Sequence, residues 1–215
     1  MQFAINWSPQ AQNLLRAGKI QIDRWKCPDW DDMIAKARED QLPVYVHFPL
    51  VIGRGSLEKT DWARVEAMMH DTQTPHVNLH LEPVRSAVGA LSRDALFDLC
   101  AKEISAVVDR FGGDRVVVEN VPYRTEHTDK FADVVDPTFI TDLLTQTGAR
   151  FLFDIGHAQI SAYSLAHELY GYLRAMPLTL LAQRALREGR QNDARPKALA
   201  IAQHGRQLKH VSMEL

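Results

Sequence analysis

An acid and a histidine three positions apart, Asp154 and His157, open the chemistry of this chain. They end the stretch Phe151-Leu152-Phe153-Asp154-Ile155-Gly156-His157, whose three bulky apolar residues read as a strand buried on both faces. Carboxylate oxygen and neutral imidazole nitrogen are protein ligands for Zn, Mn and Fe. Gly156 is expected to let the backbone turn sharply enough for both side chains to converge on one ion. The same stretch also reads as a turn in which Asp154 binds backbone amides and His157 lies on the surface.

Recurrence favours the metal reading. Val44-Tyr45-Val46 is followed by His47, Val77-Asn78-Leu79 by His80, and Val116-Val117-Val118 by Glu119. Each is a short strand-like run that ends on a metal-ligating residue type. Side chains at the carboxyl ends of parallel strands gather at one mouth, so His47, His80, Glu119, Asp154 and His157 are predicted to share a site for a divalent metal, Zn, Mn or Fe. Glu119 follows three valines, and its carboxylate at the edge of a dry core needs a cation or strong hydrogen bonds to stay charged.

Other residues near these runs could serve the same mouth. Glu82 shares a side with His80 by the period of a strand, and could join the metal, act as a base beside Glu119, or simply face solvent. Asn120, Arg124 and Arg54 are the candidate substrate contacts. Arg54 lies in Phe48–Ser56, a loop long enough to reach over a site; its Gly53-x-Gly55 lacks the lysine of a phosphate-binding loop and is read as flexible. Asp23 and Lys26 could line the mouth or form a solvated ion pair, with the ion pair preferred. His70 and His76 are expected to be solvated.

Strand-like and helix-like segments alternate. The first strand is Phe3–Trp7, and Ser8-Pro9 starts a helix that Gly18 stops. Apolar alternation predicts the next strand over Ile20–Trp25. Helical patterns follow at Asp29–Asp40, Asp61–His70, Ser92–Phe111 and Thr138–Thr147, with Gly112-Gly113 and Gly148 closing the last two. Thr125–Asp136 reads as a long polar loop. This βα alternation predicts a parallel sheet, and ligands at four strand ends favour a barrel.

Composition sets outer bounds. With 215 residues, 46% of them hydrophobic, the chain suits one sizeable domain with a core. A net charge of −2 gives no global attraction to nucleic acid or anionic membrane. Cys27 and Cys100 have no CxxC spacing, so neither a disulfide framework nor a thiolate metal site is indicated. No basic leader with an apolar run opens the chain, and a cytoplasmic protein is expected.

These residues resemble the xylose isomerase-like TIM-barrel superfamily of sugar isomerases and epimerases, endonuclease IV and multinuclear iron oxidases that modify peptides. The likeness covers roughly residues 1–175. It implies a (β/α)8-type barrel holding one to three divalent ions, with His47 and His80 as the histidines of the third and fourth strands, Glu119 as the glutamate of the fifth, and Asp154 with His157 as the Asp-x-x-His of the sixth. Glu119-Asn120 and Ile160-Ser161-Ala162 look most like the iron-oxidase branch. The activity implied first is that of a sugar phosphate isomerase/epimerase, acting on a small sugar or related carbonyl compound. The alternatives are an iron oxidase modifying a peptide, or an incomplete barrel that binds metal without catalysis. The acidic balance of the barrel portion argues against a nuclease.

The end of the chain departs from that pattern. From Met176 onward there is no Phe, Trp or Tyr, and seven basic residues against three acidic give net +4, leaving −6 for the remainder. Residues 176–215 are therefore expected to be an atypical basic helical tail, with a seventh strand over 208–215 on which His210 and Glu214 could supply missing ligands. Loss or replacement of the final βα unit is the expectation. An open barrel would expose strand edges, so a homodimer is the expected macromolecular partnership beside a small-molecule substrate.

Overall fold

A computed structural model describes residues 4–177 and 212–213. Its strands are β1 (Ala4–Asn6), β2 (Arg24–Pro28), β3 (Val44–His47), β4 (Val51–Ile52), β5 (Val77–Leu81), β6 (Val116–Glu119), β7 (Arg150–Asp154) and β8 (Ser212–Met213). The helices between them are α1 (Pro9–Arg16), α2 (Asp31–Arg38), α3 (Trp62–Thr72), α4 (Arg85–Val88), α5 (Arg93–Phe111), α6 (Pro137–Thr147), α7 (Ile155–Ser164) and α8 (Leu169–Ala175). This is the α/β alternation of a TIM-type barrel.

The strands form two sheets, β1-β2-β3 and β4-β5-β6-β7-β8. All pairings are parallel except β7 with β8, which is antiparallel. Among the described residues no ladder joins β1 to β8, so the barrel is not closed there.

The seam between β3 and β5 is joined largely by side chains. Val46 N–H donates to Thr74 Oγ1 at 2.9 Å. The Asn78 carboxamide accepts from Phe48 N–H at 2.7 Å and donates to Phe48 C=O at 2.9 Å. Asn78 thus copies a backbone ladder where none runs. Beyond it β4 pairs with β5, Val51 opposite His80.

Period-2 alternation sends one set of side chains to the helices and the other to the barrel interior. In β5, Val77, Leu79 and Leu81 are fully buried and belong to the same core as Leu96 and Ile104 of α5. Asn78 and His80 lie between them. In β2, Trp25 and Cys27 are fully buried outward, leaving Arg24, Lys26 and Pro28 on the other side. The second strand therefore lies later than the apolar alternation of Ile20–Trp25 predicts. What fixes it is the buried pair Trp25 and Cys27, together with pairing to β3 in which Pro28 stands opposite His47.

Two further expectations are corrected. His76 is buried, 6% exposed, with its ring 5.2 Å from that of Tyr45. The Gly53 loop is tethered: Gly53 N–H donates to Glu103 Oε2 at 2.6 Å, and a Cβ at Gly53 would lie 2.3 Å from Pro83 Cβ. No helix among the described residues is long and apolar enough to cross a membrane. The predicted helical tail and the strand residues His210 and Glu214 lie outside the described residues.

Candidate metal centre

Glu119 is the middle of the site. It ends β6, is 2% exposed, and pairs in register with His80 on one side and Leu152 on the other. Its Oε2 lies 3.1 Å from His47 Nε2 and 3.3 Å from His80 Nε2, and the two imidazole nitrogens are 3.1 Å apart. Donors around a tetrahedral ion with bonds near 2.0 Å stand roughly 3.3 Å from one another, so this triangle has the size of a metal's coordination sphere.

The second group is built differently. Asp154 ends β7 and serves as N-cap of α7, its Oδ1 accepting from His157 N–H at 2.9 Å. His157 Nδ1 is 3.8 Å from Asp154 Oδ2 and 3.6 Å from Glu119 Oε1, but that nitrogen donates to Asn120 C=O at 2.8 Å, so in this tautomer it is Nε2 that is free to ligate. Ligand atoms of Glu119, Asp154 and His157 all lie within 4.8 Å of one another, as do those of His47, His80 and Glu119. One Asp154 oxygen therefore caps α7, while the other lies 3.8 Å from His157 Nδ1.

Gly156 does not turn the chain as expected. It is helical, and its lack of a side chain serves space instead, since a Cβ there would lie 3.2 Å from Asp154 Oδ1.

Backbone carbonyls orient two of the three rings. His80 Nδ1 donates to Leu50 C=O at 3.1 Å and His157 Nδ1 to Asn120 C=O at 2.8 Å, because a carbonyl can only accept. That tautomer leaves each Nε2 with a lone pair for a metal. His47 Nδ1 is buried without a hydrogen-bond partner, and buried Glu119 Oε2 meets the imidazole Nε2 atoms of His47 and His80.

Charge state follows the same arrangement. Burial alone would raise the Glu119 carboxyl; the hydrogen bond and charge of His47, with His80 and Lys26, outweigh it and hold the group down at about 2. Burial lowers the His47 imidazole, against the pull of Glu119 and with help from Lys26 and His80. An ionised carboxylate beside a neutral imidazole is what a divalent ion requires.

Asn120 supports this centre from behind. Its carboxamide donates to Asp154 C=O at 2.9 Å and accepts from Asp154 N–H at 2.8 Å, while being 2% exposed. Ser161, one turn beyond His157, accepts from Tyr123 N–H at 2.9 Å and donates to His157 C=O at 3.0 Å.

The remaining predicted site residues lie outside both groups. Glu82 is bound to Arg54 Nη2 at 2.5 Å and to Lys130 Nζ at 2.6 Å. Arg124 is over half exposed, 3.8 Å from Glu126. His210 is outside the described residues. Two more residues lie beside it: Asn78, which the sequence reading passed over, and Lys26, for which it preferred a solvated ion pair to a place at the mouth. Asn78, which shares a face of β5 with His80, has its Nδ2 3.4 Å from His47 Nε2. Lys26 lines the same cavity, about 350 Å³, together with His47, His80, Glu119, Asp154 and His157.

Comparisons with known proteins bear on the family and the fold. Residues 29–215 match the family model described as RiPP precursor modification enzyme MbnB/TglH/ChrH. Among solved structures, a D-psicose 3-epimerase with D-tagatose from Clostridium cellulolyticum is similar at 10% identity and a TM-score of 0.50, over 81% of this chain and 69% of that one. A protein from Sinorhizobium meliloti is similar at 15% identity and a TM-score of 0.50, over 81% and 71%. A family 2 AP endonuclease from Brucella melitensis gives 18% identity and a TM-score of 0.45, over 74% and 71%. No curated protein matches the chain.

Proposed function

We propose a metal-dependent, peptide-modifying activity for this chain, which belongs to the RiPP precursor modification enzyme MbnB/TglH/ChrH family. That family lies within the xylose isomerase-like TIM-barrel superfamily, whose fold the solved neighbours share. The observation that carries the reading is the pair of donor groups joined at Glu119. His47, His80 and Glu119 form a two-histidine, one-carboxylate set, the combination that suits non-haem iron, and the second group gives a second ion a place beside it. We infer iron on that basis.

Bound iron would supply Lewis acidity and a change of oxidation state for oxidising a peptide with dioxygen. The protein's own part is placement. His80 and His157 are held in their ligating tautomer by Leu50 and Asn120 carbonyls. Glu119 offers one oxygen to each group. Asn120 fixes the end of β7 so that Asp154 can cap α7 and still face the centre. Glu82 stands as a rim base whose charge is balanced by Arg54 and Lys130, and Arg54 and Arg124 are candidate contacts for charged groups of the peptide.

Sugar isomerisation, the activity implied first by the superfamily, is supported by the fold alone, through a relative of 10% identity. The test is direct. Iron-loaded protein is mixed in air with the precursor peptide encoded nearest its gene, and oxygen uptake and peptide mass are followed. Oxygen consumption with a changed peptide mass supports the proposal. An unaltered peptide, together with interconversion of ketohexoses under the same conditions, would return the chain to the isomerases.

A further inference from the structure

We propose that a small pocket on the outer side of the β3 end is a subsite for an apolar side chain of the peptide, a phenyl-sized or branched aliphatic group. This rests on the peptide-modifying reading above and names what the peptide presents beside the residue at the metal centre.

The pocket and the metal-site cavity flank the same strand ends. Pro28 and His47, opposite each other in register, both line the cavity that carries the metal-binding groups. Asp29 and Phe48, one residue further along each chain segment, line the second pocket instead. Alternation along an extended chain sends neighbouring side chains to opposite faces, so the two spaces lie on either side of one wall. Leu50 belongs to both sides of that wall: it lines the pocket, and its C=O accepts from His80 Nδ1 at 3.1 Å. Phe48 is held at both backbone groups by Asn78, so the clamp that places His47 also fixes the pocket. A peptide crossing these strand ends can put one side chain into each space.

The chemistry of the pocket selects an apolar occupant. Phe48 and Leu50, with Val65 and Met68 of α3, are buried residues of the core that line it. The charged groups stand at its rim and engage one another. Arg64 donates to Asp29 C=O at 3.1 Å and lies 3.3 Å from Asp31 Oδ2, while Asp61 caps α3 by accepting from Arg64 N–H at 3.0 Å. An apolar side chain entering here gains by leaving water. The size fits the same class: the volume is about 140 Å³, and an apolar cavity of about 150 Å³ takes up benzene. Among the described residues, Leu14, Trp30 and Tyr163 are the large hydrophobics left exposed, and Trp30 directly follows Asp29 of this rim.

Acetylated amides of leucine, phenylalanine, lysine and glycine serve as probes of the metal-free protein, with its side-chain methyl groups labelled for nuclear magnetic resonance. The leucine and phenylalanine amides should shift the methyl signals of Leu50, Val65 and Met68, and the lysine and glycine amides should leave them in place. Thr60→Phe and Val65→Phe fill the pocket from the loop and from α3, and each should abolish those shifts. Each should also weaken binding of the precursor peptide encoded nearest the gene by about tenfold or more, with metal content and circular dichroism as in wild type. Pocket methyls that no amide moves, or that the lysine amide moves as strongly as the leucine amide, would overturn the inference. So would unchanged peptide affinity in either folded, filled variant. If both variants lose their circular dichroism, the amide titration of wild type decides. A wild type that binds no precursor peptide would overturn this inference and the peptide-modifying reading together. Peptide that binds through the pocket, yet leaves the iron-loaded protein in air with its mass unchanged, would overturn that reading alone.

Discussion

The two halves of the centre reach Glu119 by different routes. His47 and His80 stand at the ends of parallel strands whose mutual position is set by the Asn78 clamp, Thr74 and the short β4. Asp154 and His157 stand where a strand becomes a helix, and the first turn of α7 sets their spacing. The first half is fixed by long-range contacts across a seam, the second by local capping geometry. The contrast teaches that one carboxylate can tie a tertiary arrangement to a local one, and each half can be broken separately.

The largest effect is expected from Glu119→Gln, which removes the charge both groups share. Metal uptake should fall by about 100-fold or more in both halves, with circular dichroism unchanged. Retention of one full equivalent would mean that Glu119 is not shared.

Next come variants that separate the halves. Asp154→Asn keeps a good N-cap and loses the anionic ligand, so α7 should persist while one equivalent of metal disappears. His80→Ala should remove the other equivalent and leave the Asp154 group able to bind. If either variant emptied both sites, the halves would not be independent.

The two asparagine clamps sharpen the comparison in stability. Asn78→Ala strands the buried N–H and C=O of Phe48 and should cost about 1–3 kcal/mol per orphaned group, read as a lower denaturant midpoint. Asn120→Ala orphans Asp154 N–H and C=O in the same way, and in addition should weaken the second metal site. The prediction fails if Asn78→Ala lowers metal affinity at the Asp154 group more than Asn120→Ala does.

The smallest effect near neutrality is that of pH on the metal-free protein. His47 is held below its usual 6.5 by burial, and Glu119 at about 2 against a usual 4.5. Both folded values are depressed, so the unfolded chain binds more protons across each window and stability declines as pH falls. The loss should begin below 6.5 with His47 and deepen between 4.5 and about 2 with Glu119. In Glu119→Gln the lower step should shrink in a pH series of urea midpoints, leaving the smaller share of Asp40, Asp129 and Glu168.

How much of this was legible in the sequence depended on the range of the interaction. The candidate ligands His47, His80, Glu119 and Asp154 stood out because each ends an apolar run, and His157 because it follows Asp154 by three positions. The barrel class followed from the same alternation. The use of Asn78 was hidden because its partner, Phe48, is distant in sequence and shows only as a gap between ladders. Lys26 looked like a solvated charge until the burial of Trp25 and Cys27 fixed which way β2 faces. His76 looked exposed because nothing local announces the ring of Tyr45. Gly156 was assigned to a turn because its neighbours suit one; the cap at Asp154 starts a helix there instead, and glycine is needed for the carboxylate's room.

The central claim is that Glu119 joins two metal sites. The most direct test is anaerobic iron titration of the purified protein, with Mössbauer spectra recorded at one and two equivalents before and after oxidation. The account predicts two irons per chain that become magnetically coupled when both are ferric, as a bridging carboxylate requires. A single uncoupled iron, or two that ignore each other, would contradict it.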